Sequence, residues 1–280
     1  FREWAPNAKR AWLVGDFNNW ENNFELKQAY GGAWEISIPG MLPVGSKVKV
    51  KLLLPSGETV YRVPSYIMFA VPNERHELDG VIVQPKYDWK NKAPQLKEAP
   101  LIYEAHIGIS TEEYKINSYK EFTRDVLPRI KKAGYNTIQL MAIMEHPLYA
   151  SFGYQVSNFF AISSRFGQPE DLMELIDQAH GMGLRVLLDV VHSHAVKNIE
   201  DGLNYFDGTE NQYFHEGERG NHPAWKTKLF NYGKDEVIHF LLSNLKFWLD
   251  TYHFDGFRFD GVTSMLYHDH GLGTAFTDYS

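Results

Sequence analysis

Two charged residues near the end of the sequence, Arg258 and Asp260, have the types and spacing of a reactive pair. They lie in segment 256–261, where aromatic and charged residues alternate as on a β-strand. Residues two apart on a strand point to the same side, so the guanidinium group should lie beside the carboxylate and favour its ionised form. An ionised carboxylate held at a strand end is what nucleophilic attack on a glycosidic carbon requires. A structural ion pair has the same pattern, and spacing alone leaves both interpretations open.

A second group of polar residues follows two earlier strand-like segments. Asp189 stands near the end of a Val- and Leu-rich run, and His194 lies just past it. A histidine there can donate a hydrogen bond to a hydroxyl group or orient a neighbouring side chain. Tyr154 lies on a glycine-containing loop, where its ring would either stack on a sugar or cap the core.

Pairs of histidines raise the question of a metal site. His192 with His194, or the run 268–270, places potential ligands close together in the sequence. No further ligand cluster completes either set, so we predict no metal site.

The elements that position these residues change character along the chain. Residues 1–87 read as an all-β sandwich of short strands separated by turn clusters, and residues 88–100 read as a polar linker. From residue 101 to residue 280, strands alternate with helices, and a long polar loop spans 193–233. The predicted strands are 101–107, 136–144, 185–191 and 256–260, and the predicted helices are 118–134, 169–181 and 235–252.

Such an alternation predicts a parallel sheet with right-handed crossovers and an active site at the carboxyl ends of its strands. A doubly wound sheet and a (β/α)₈ barrel both fit. If the fold is a barrel, the 180 residues after the linker are fewer than the roughly 250 that a barrel needs. They would form only its N-terminal half.

Two of the predicted helices carry specific packing signals. Ser118 and Glu121 form a capping box at the start of the first helix. Its predicted apolar stripe is Phe122, Val126, Leu127, Ile130 and Ala133. The inward face predicted for helix 235–252 is Ile238, Leu241, Leu242, Leu245, Trp248 and Leu249.

Composition narrows the classes of partner. The 280-residue chain has a net charge of −7, which argues against a nucleic-acid partner, and its aromatic content of 15% slightly favours sugar binding. The longest uncharged stretch, 147–164, is too polar to cross a membrane, so we expect no membrane partner. The lack of cysteine is compatible with a cytoplasmic location.

Several segments together resemble the α-amylase superfamily of glycoside hydrolases and transglycosylases. Residues 189–194 are similar to its first signature and residues 256–260 to its second. Segments 152–160, 187–195 and 254–271 look more narrowly like α-1,4-glucan branching enzymes of glycoside hydrolase family 13, of the eukaryotic-like type. The opening residues 1–6 and 15–20 resemble the glycan-binding β-sandwich, a module 48-like domain, that precedes the barrel in that group.

This resemblance implies a (β/α)₈ TIM barrel and a role for each polar residue. Asp260 would be the nucleophile with Arg258 as its partner, while Tyr154, Asp189 and His194 would bind the sugar at the cleavage site. The implied reaction cleaves an α-1,4 linkage with retention and transfers the chain to a 6-hydroxyl, forming α-1,6 branches in glycogen, amylose or starch. No cofactor is implied, because one acetal replaces another. Ser193 stands where many α-amylases have a calcium-binding Asn, so a calcium site is not expected.

The family's acid/base glutamate and its last His-Asp signature lie on later barrel strands. The sequence begins at Phe1 and stops at Ser280, so we expect a chain truncated at both ends, with no acid/base residue and no activity of its own. Two other functions stay open. One is another α-glucan-active hydrolase, such as a debranching enzyme, and the other is a non-catalytic glucan-binding remnant.

Overall fold

The computed structural model describes residues 1–40, 42–95 and 97–273. The N-terminal part forms two antiparallel sheets, one in the order β1-β4-β3 and one in the order β2-β5-β8-β7 with β6 paired to β5. Their bounds are β1 (Arg2–Trp4), β2 (Arg10–Gly15), β3 (Lys27–Gln28), β4 (Ala33–Glu35), β5 (Lys47–Leu53), β6 (Thr59–Arg62), β7 (Ala70–Pro72) and β8 (Leu78–Val81).

Alternation along β5 shows why this part folds as a sandwich. Val48, Val50 and Leu52 are each 0% exposed, and Leu13 and Ala11 on β2 pair with the last two of them. Apolar residues at every second position therefore line one inner face of the module.

Four parallel strands form the sheet of the second part. They are β9 (Ile102–Ala105), β10 (Thr137–Leu140), β13 (Arg185–Val190) and β14 (Gly256–Phe259), in the order β14-β13-β10-β9. Each strand lies beside the next one in the sequence, which is the order of a barrel and not of a doubly wound sheet. The fold is a β-sandwich module followed by the N-terminal half of a (β/α)₈ barrel.

A hairpin after β10 was not predicted. It pairs β11 (Met144–Glu145) with β12 (Asn158–Ile162), which is buried throughout. The helices are α1 (Tyr119–Glu121), a π-helical segment (Phe122–Val126), α2 (Leu127–Lys132), α3 (Pro169–Gly181), α4 (Asp235–Tyr252) and α5 (Thr263–Leu266).

The helix signals are confirmed in part. Ser118 and Glu121 form the predicted capping box. Ala133 is exposed, so its place in the apolar stripe was wrong.

The predicted inward face of α4 needs a larger correction. Ile238, Leu242 and Leu249 are 37%, 60% and 40% exposed. Leu241 and Trp248 are buried as predicted, and the rest of the buried side is Val237, Phe240, Asn244 and Tyr252. Phe240 sets this orientation, because its ring contacts Phe159 and Phe160 of β12. A helix with apolar residues on two sides does not reveal by periodicity which side faces the core.

The loop 193–233 attaches to the N-terminal module by hydrogen bonds. Asn7 donates to Asp207 from its backbone N–H (3.1 Å) and its side-chain amide (2.8 Å). Arg62 donates to the carbonyl oxygens of Phe206 and Tyr205 at 3.2 and 3.0 Å. These bonds fix the module against the loop that follows β13. In the part of the chain that is described, no helix is long and apolar enough to cross a membrane.

The buried side chain of Glu3 makes the stability of the N-terminal module depend on pH. Its carboxylate is 2% exposed and accepts hydrogen bonds from Ser65 and the Trp4 N–H. Burial outweighs these bonds and raises the pKa of Glu3 from 4.5 to about 7. The folded chain therefore binds more protons than the unfolded chain between these values, and this part of the stability is lost as pH rises through about 7.

We expect Glu3→Gln to flatten the pH dependence of the melting temperature between pH 5 and 8. The contribution of Glu3 to the free energy of unfolding that is lost as pH rises is on the order of 3 kcal/mol. Thermal unfolding at several pH values measures it, with the exposed Glu21→Gln as control. If the melting temperatures of wild type and Glu3→Gln change with pH by the same amount, the assignment is contradicted.

Candidate active site

Arg258 joins two carboxylates at the carboxyl end of the parallel sheet. The β13–β14 register pairs Asp189 with Arg258, so their side chains meet across the strands. Nη1 of Arg258 lies 2.9 Å from both oxygens of Asp189 and 2.7 Å from Oδ1 of Asp260. One guanidinium nitrogen thus holds both acidic groups, and the alternation in segment 256–261 explains the contact with Asp260.

The two carboxylates differ in environment. The Asp189 side chain is fully buried, whereas 21% of the Asp260 side chain is exposed. Burial raises the pKa of Asp189 above its usual value, and hydrogen bonds from Arg258 and Tyr154 oppose that effect. Asp189 is therefore a tightly held acceptor, whereas Asp260 has one oxygen fixed and remains accessible.

Tyr154 completes this group. Its hydroxyl donates to Oδ2 of Asp189 at 2.8 Å. Burial raises the pKa of Tyr154, and the neighbouring Asp189 raises it further, so the phenol stays protonated and remains a donor. The same contact leaves its ring half-buried beside the carboxylates.

Gly153 sets the position of Tyr154. Its φ is +91°, and a Cβ added there would lie 1.9 Å from the carbonyl oxygen of Ala142. No side chain fits without moving the loop away from the strand end.

We expect Gly153→Ala to reduce the catalytic activity of the complete gene product at least tenfold, because the displaced loop carries Tyr154 away from Asp189. Gly134→Ala is the matched control, since Gly134 has the same φ of +91° but nothing within 4 Å of its added Cβ. Both variants carry the backbone strain, about 1 kcal/mol, and only the first carries the clash. Equal loss of activity in the two variants would contradict this account.

His194 lies at the same edge of the sheet but faces a different neighbour. Its ring centroid is 5.0 Å from that of Trp225, and its Nδ1 is buried without a hydrogen-bond partner among the described residues. Burial, and then the nearby His222, lower the pKa of His194 to about 4. It is a neutral imidazole near neutral pH.

His192 does not turn toward His194. Nε2 of His192 lies 2.9 Å from Oδ1 of Asn244, which turns that ring toward α4. Within residues 1–40, 42–95 and 97–273, no group of three or more His, Asp or Glu residues is arranged to hold a metal ion.

The sequence did not reveal that two aromatic rings, those of His222 and Trp225, lie at the site. His222 and Trp225 belong to the loop 193–233, more than thirty positions before Asp260, and their rings stack beside His194. The only signal was the tryptophan itself in a polar segment, and nothing in its spacing placed it near the carboxylates.

Together, these side chains make a site suited to nucleophilic displacement. Asp260 is partly exposed and is hydrogen-bonded to the guanidinium group of Arg258, so its carboxylate is held in place as a nucleophile must be. Asp189 and Tyr154 supply fixed hydrogen-bonding groups at the same edge.

Comparison with known proteins agrees with this architecture. Residues 1–67 match the family model of carbohydrate-binding module 48 (isoamylase N-terminal domain), and residues 124–229 match that of the alpha amylase catalytic domain. A crystal structure of a putative alpha amylase from Salmonella typhimurium superposes with a TM-score of 0.75 at 24% identity, covering 95% of this chain and 42% of that one. The catalytic module of a glycogen-degrading pneumococcal virulence factor gives 0.73 at 18% identity, covering 92% and 44%. At these identities the likeness concerns the fold.

Curated relatives are much closer in sequence. A 1,4-alpha-glucan-branching enzyme from Yarrowia lipolytica is 56% identical over 99% of this chain and 42% of its own length. Those from Dictyostelium discoideum and Felis catus are each 54% identical, over 100% and 99% of this chain and 43% and 41% of their own lengths. The chain therefore spans about two fifths of the length of these relatives. With a match to module 48, a match to part of an alpha amylase catalytic domain and this level of identity, the chain is similar over nearly its whole length to part of the 1,4-alpha-glucan-branching enzymes.

Proposed function

We propose that the complete gene product is a glucan branching enzyme in which Asp260 is the nucleophile. The observation that carries the proposal is the bridge from Arg258 Nη1 to both Asp189 and Asp260, at 2.9 and 2.7 Å. The guanidinium group lies between the two carboxylates and holds the partly exposed Asp260 in place at the strand end, as a nucleophile requires.

In the first proposed step, Asp260 attacks the anomeric carbon of an α-1,4-linked glucosyl unit. The bond to the leaving O4 breaks, O4 takes a proton from a general acid, and a covalent glycosyl ester forms. In the second step, a glucan 6-hydroxyl attacks the same carbon, gives its proton to the same group acting as base, and releases the Asp260 carboxylate. Two inversions give net retention, and the new linkage is α-1,6.

Asp189 does not suit the role of general acid. Its two oxygens already accept hydrogen bonds from Arg258 and Tyr154, which fit an ionised acceptor. We therefore assign Asp189, Tyr154 and His194 to binding the sugar at the cleavage site. The proposal requires a second carboxyl group from elsewhere in the complete gene product.

The proposed substrate is an α-1,4-glucan. The relatives' name and the match to a carbohydrate-binding module support this assignment. We further propose that the enzyme acts in glycogen synthesis in the cytoplasm, as the resemblance to eukaryotic-type branching enzymes suggests.

Product analysis of the complete gene product incubated with amylose tests the activity. New α-1,6 anomeric protons in NMR spectra, without a matching rise in reducing ends, are expected. Reducing ends without α-1,6 signals would instead indicate a hydrolase. Glucan pelleting that survives Asp260→Asn, with no turnover by the wild type, would indicate a binding protein.

A further inference from the structure

Trp225 lies beside the proposed nucleophile, and the proposed reaction assigns it no role. The Trp225 side chain reaches the turn after Asp260, where a Cβ added to Gly261 would lie 3.0 Å from the edge of the indole. Trp225 is 38% exposed and its ring is also 5.0 Å from that of His194. The indole therefore borders the place where the reacting glucosyl unit must lie.

We propose that Trp225 is a stacking platform for a glucosyl ring at the cleavage site, and that His222 is the residue that positions it. This inference rests on the proposed function and adds a binding residue to the same site. The apolar face of a glucose ring packs on an indole much as another flat apolar group does.

The loop that carries Trp225 is pinned to the end of β13. Lys228 and Ala195 exchange two backbone hydrogen bonds, Lys228 N–H to Ala195 O at 2.8 Å and Ala195 N–H to Lys228 O at 2.9 Å. At the tip, the His222 N–H donates to Thr227 O at 2.9 Å and the Lys226 N–H donates to His222 O at 3.1 Å. The tip is thereby fixed relative to His194, which directly precedes Ala195.

His222 holds the indole by two kinds of contact. The two rings are 3.9 Å apart and within 3° of parallel, and His222 is 2% exposed. Its Nδ1 accepts hydrogen bonds from the backbone N–H groups of Ala224 at 3.2 Å and Trp225 at 3.1 Å. One face of the indole is therefore covered by the imidazole, and the backbone of Trp225 is anchored to the same ring.

The tautomer of His222 follows from these contacts. Since Nδ1 accepts, the ring proton is on Nε2, which then donates to Oγ of Ser264 at 2.9 Å. Ser264 lies on the short helix α5, which is separated from Asp260 by only two residues. His222 thus links the platform to the segment that carries the proposed nucleophile. Burial, followed by the nearby His270, lowers the pKa of His222 to about 4, so this tautomer persists through the neutral range.

Steady-state kinetics of the complete gene product on amylose test the platform. We expect Trp225→Ala to raise KM about three- to tenfold, the range of an aromatic stacking contact, with a smaller change in kcat. Trp225→Phe keeps a flat ring and should stay within about twofold of wild type. An unchanged KM in Trp225→Ala would overturn the proposal.

Trp89 provides a matched control at the amino ends of the parallel strands, opposite the site. Trp89 stacks on His253 with ring centroids 4.0 Å apart and planes at 22°, and His253 precedes β14 at its amino end. Trp89→Ala removes the same kind of ring pair far from the carboxylates and should leave KM unchanged. If Trp89→Ala raises KM as much as Trp225→Ala, the effect is structural and the proposal fails.

A double-mutant cycle tests the positioning role of His222. His222→Asn keeps an acceptor for the two backbone N–H groups but removes the stacked ring, and we expect KM to rise. Because both residues serve one contact, adding Trp225→Ala to His222→Asn should raise KM less than additivity predicts. Full additivity would remove His222 from the assignment.

A separate measurement distinguishes failure of the proposed branching activity from failure of the stacking role of Trp225. If the wild type forms no α-1,6 linkages, the dissociation constant of maltoheptaose measured by calorimetry replaces KM, with the same variants and the same expected ratios. Maltoheptaose binding that is unchanged in Trp225→Ala contradicts the platform whatever reaction the protein catalyses.

Discussion

Replacing Asp260 with Asn is expected to lower the branching rate of the complete gene product at least about 1,000-fold with little change in its fold. The amide has almost the shape of the carboxylate, and its oxygen can still accept the 2.7 Å hydrogen bond from Arg258. A neutral amide does not form the glycosyl ester, so the first step has no nucleophile. The formation of α-1,6 linkages in amylose, measured by NMR, gives the rate.

Asp250→Asn is the control for this substitution. Asp250 forms an exposed ion pair with Lys246 on the surface of α4, away from the site. The same chemical change there should leave the rate within twofold of wild type. An Asp260→Asn protein with more than a tenth of the wild-type rate would remove Asp260 from the mechanism.

Replacing Arg258 with Ala should have the second largest effect, a loss of at least about 100-fold. The change removes the only cation that contacts both Asp189 and Asp260 within the described residues. Asp189 would then be buried with only Tyr154 as a hydrogen-bond partner among the residues that the structure describes, an arrangement that penalises its charge. The electrostatic support of the proposed nucleophile would be lost at the same time.

The pH profile separates this electrostatic role from a purely structural one. Arg258 lowers the pKa of Asp189, whereas burial raises it. Removing the guanidinium group therefore raises the pKa of Asp189, and at a given acidic pH more of it is protonated. If the ionised form is needed for substrate binding, the acid limb of the kcat/KM profile moves to higher pH. A profile that only drops in height, without this displacement, would contradict the role assigned to Arg258.

Two further variants support the interpretation of Arg258→Ala. Arg258→Lys keeps the charge but loses the planar group, so its acid limb should lie between those of wild type and Arg258→Ala. Arg124→Ala removes an arginine from an exposed pair with Asp125 and should leave the profile unchanged. Guanidinium ions added to Arg258→Ala should recover part of the rate.

Much of the fold could be predicted from the sequence because its signals are local. The alternation of β5, the capping box of Ser118 and Glu121, and the full extent of α3 and α4 follow from periodicity and helix-end chemistry. The proximity of Arg258 to Asp260 follows from strand alternation. Their contact with Asp189 also required the register between β13 and β14, which no local pattern encodes.

The remaining features depend on contacts between distant segments. The side of α4 that is buried is decided by Phe159 and Phe160 of a hairpin about 80 residues earlier, which the sequence did not reveal. Trp225 reaches the site only because its loop pairs with Ala195 and stacks on His222. The predicted boundaries 87/88 and 100/101, and the roles of the site residues, remain predictions.

The most direct measurement of the central claim is to trap the covalent intermediate. A fluorinated α-glucosyl fluoride is suitable, because fluoride leaves without protonation and the ring fluorine slows the second step. Peptide mass spectrometry after a short incubation of the complete gene product should find the added sugar mass on the peptide that contains Asp260, with no adduct in Asp260→Asn. An adduct on another carboxylate, with Asp260 unmodified, would contradict the account.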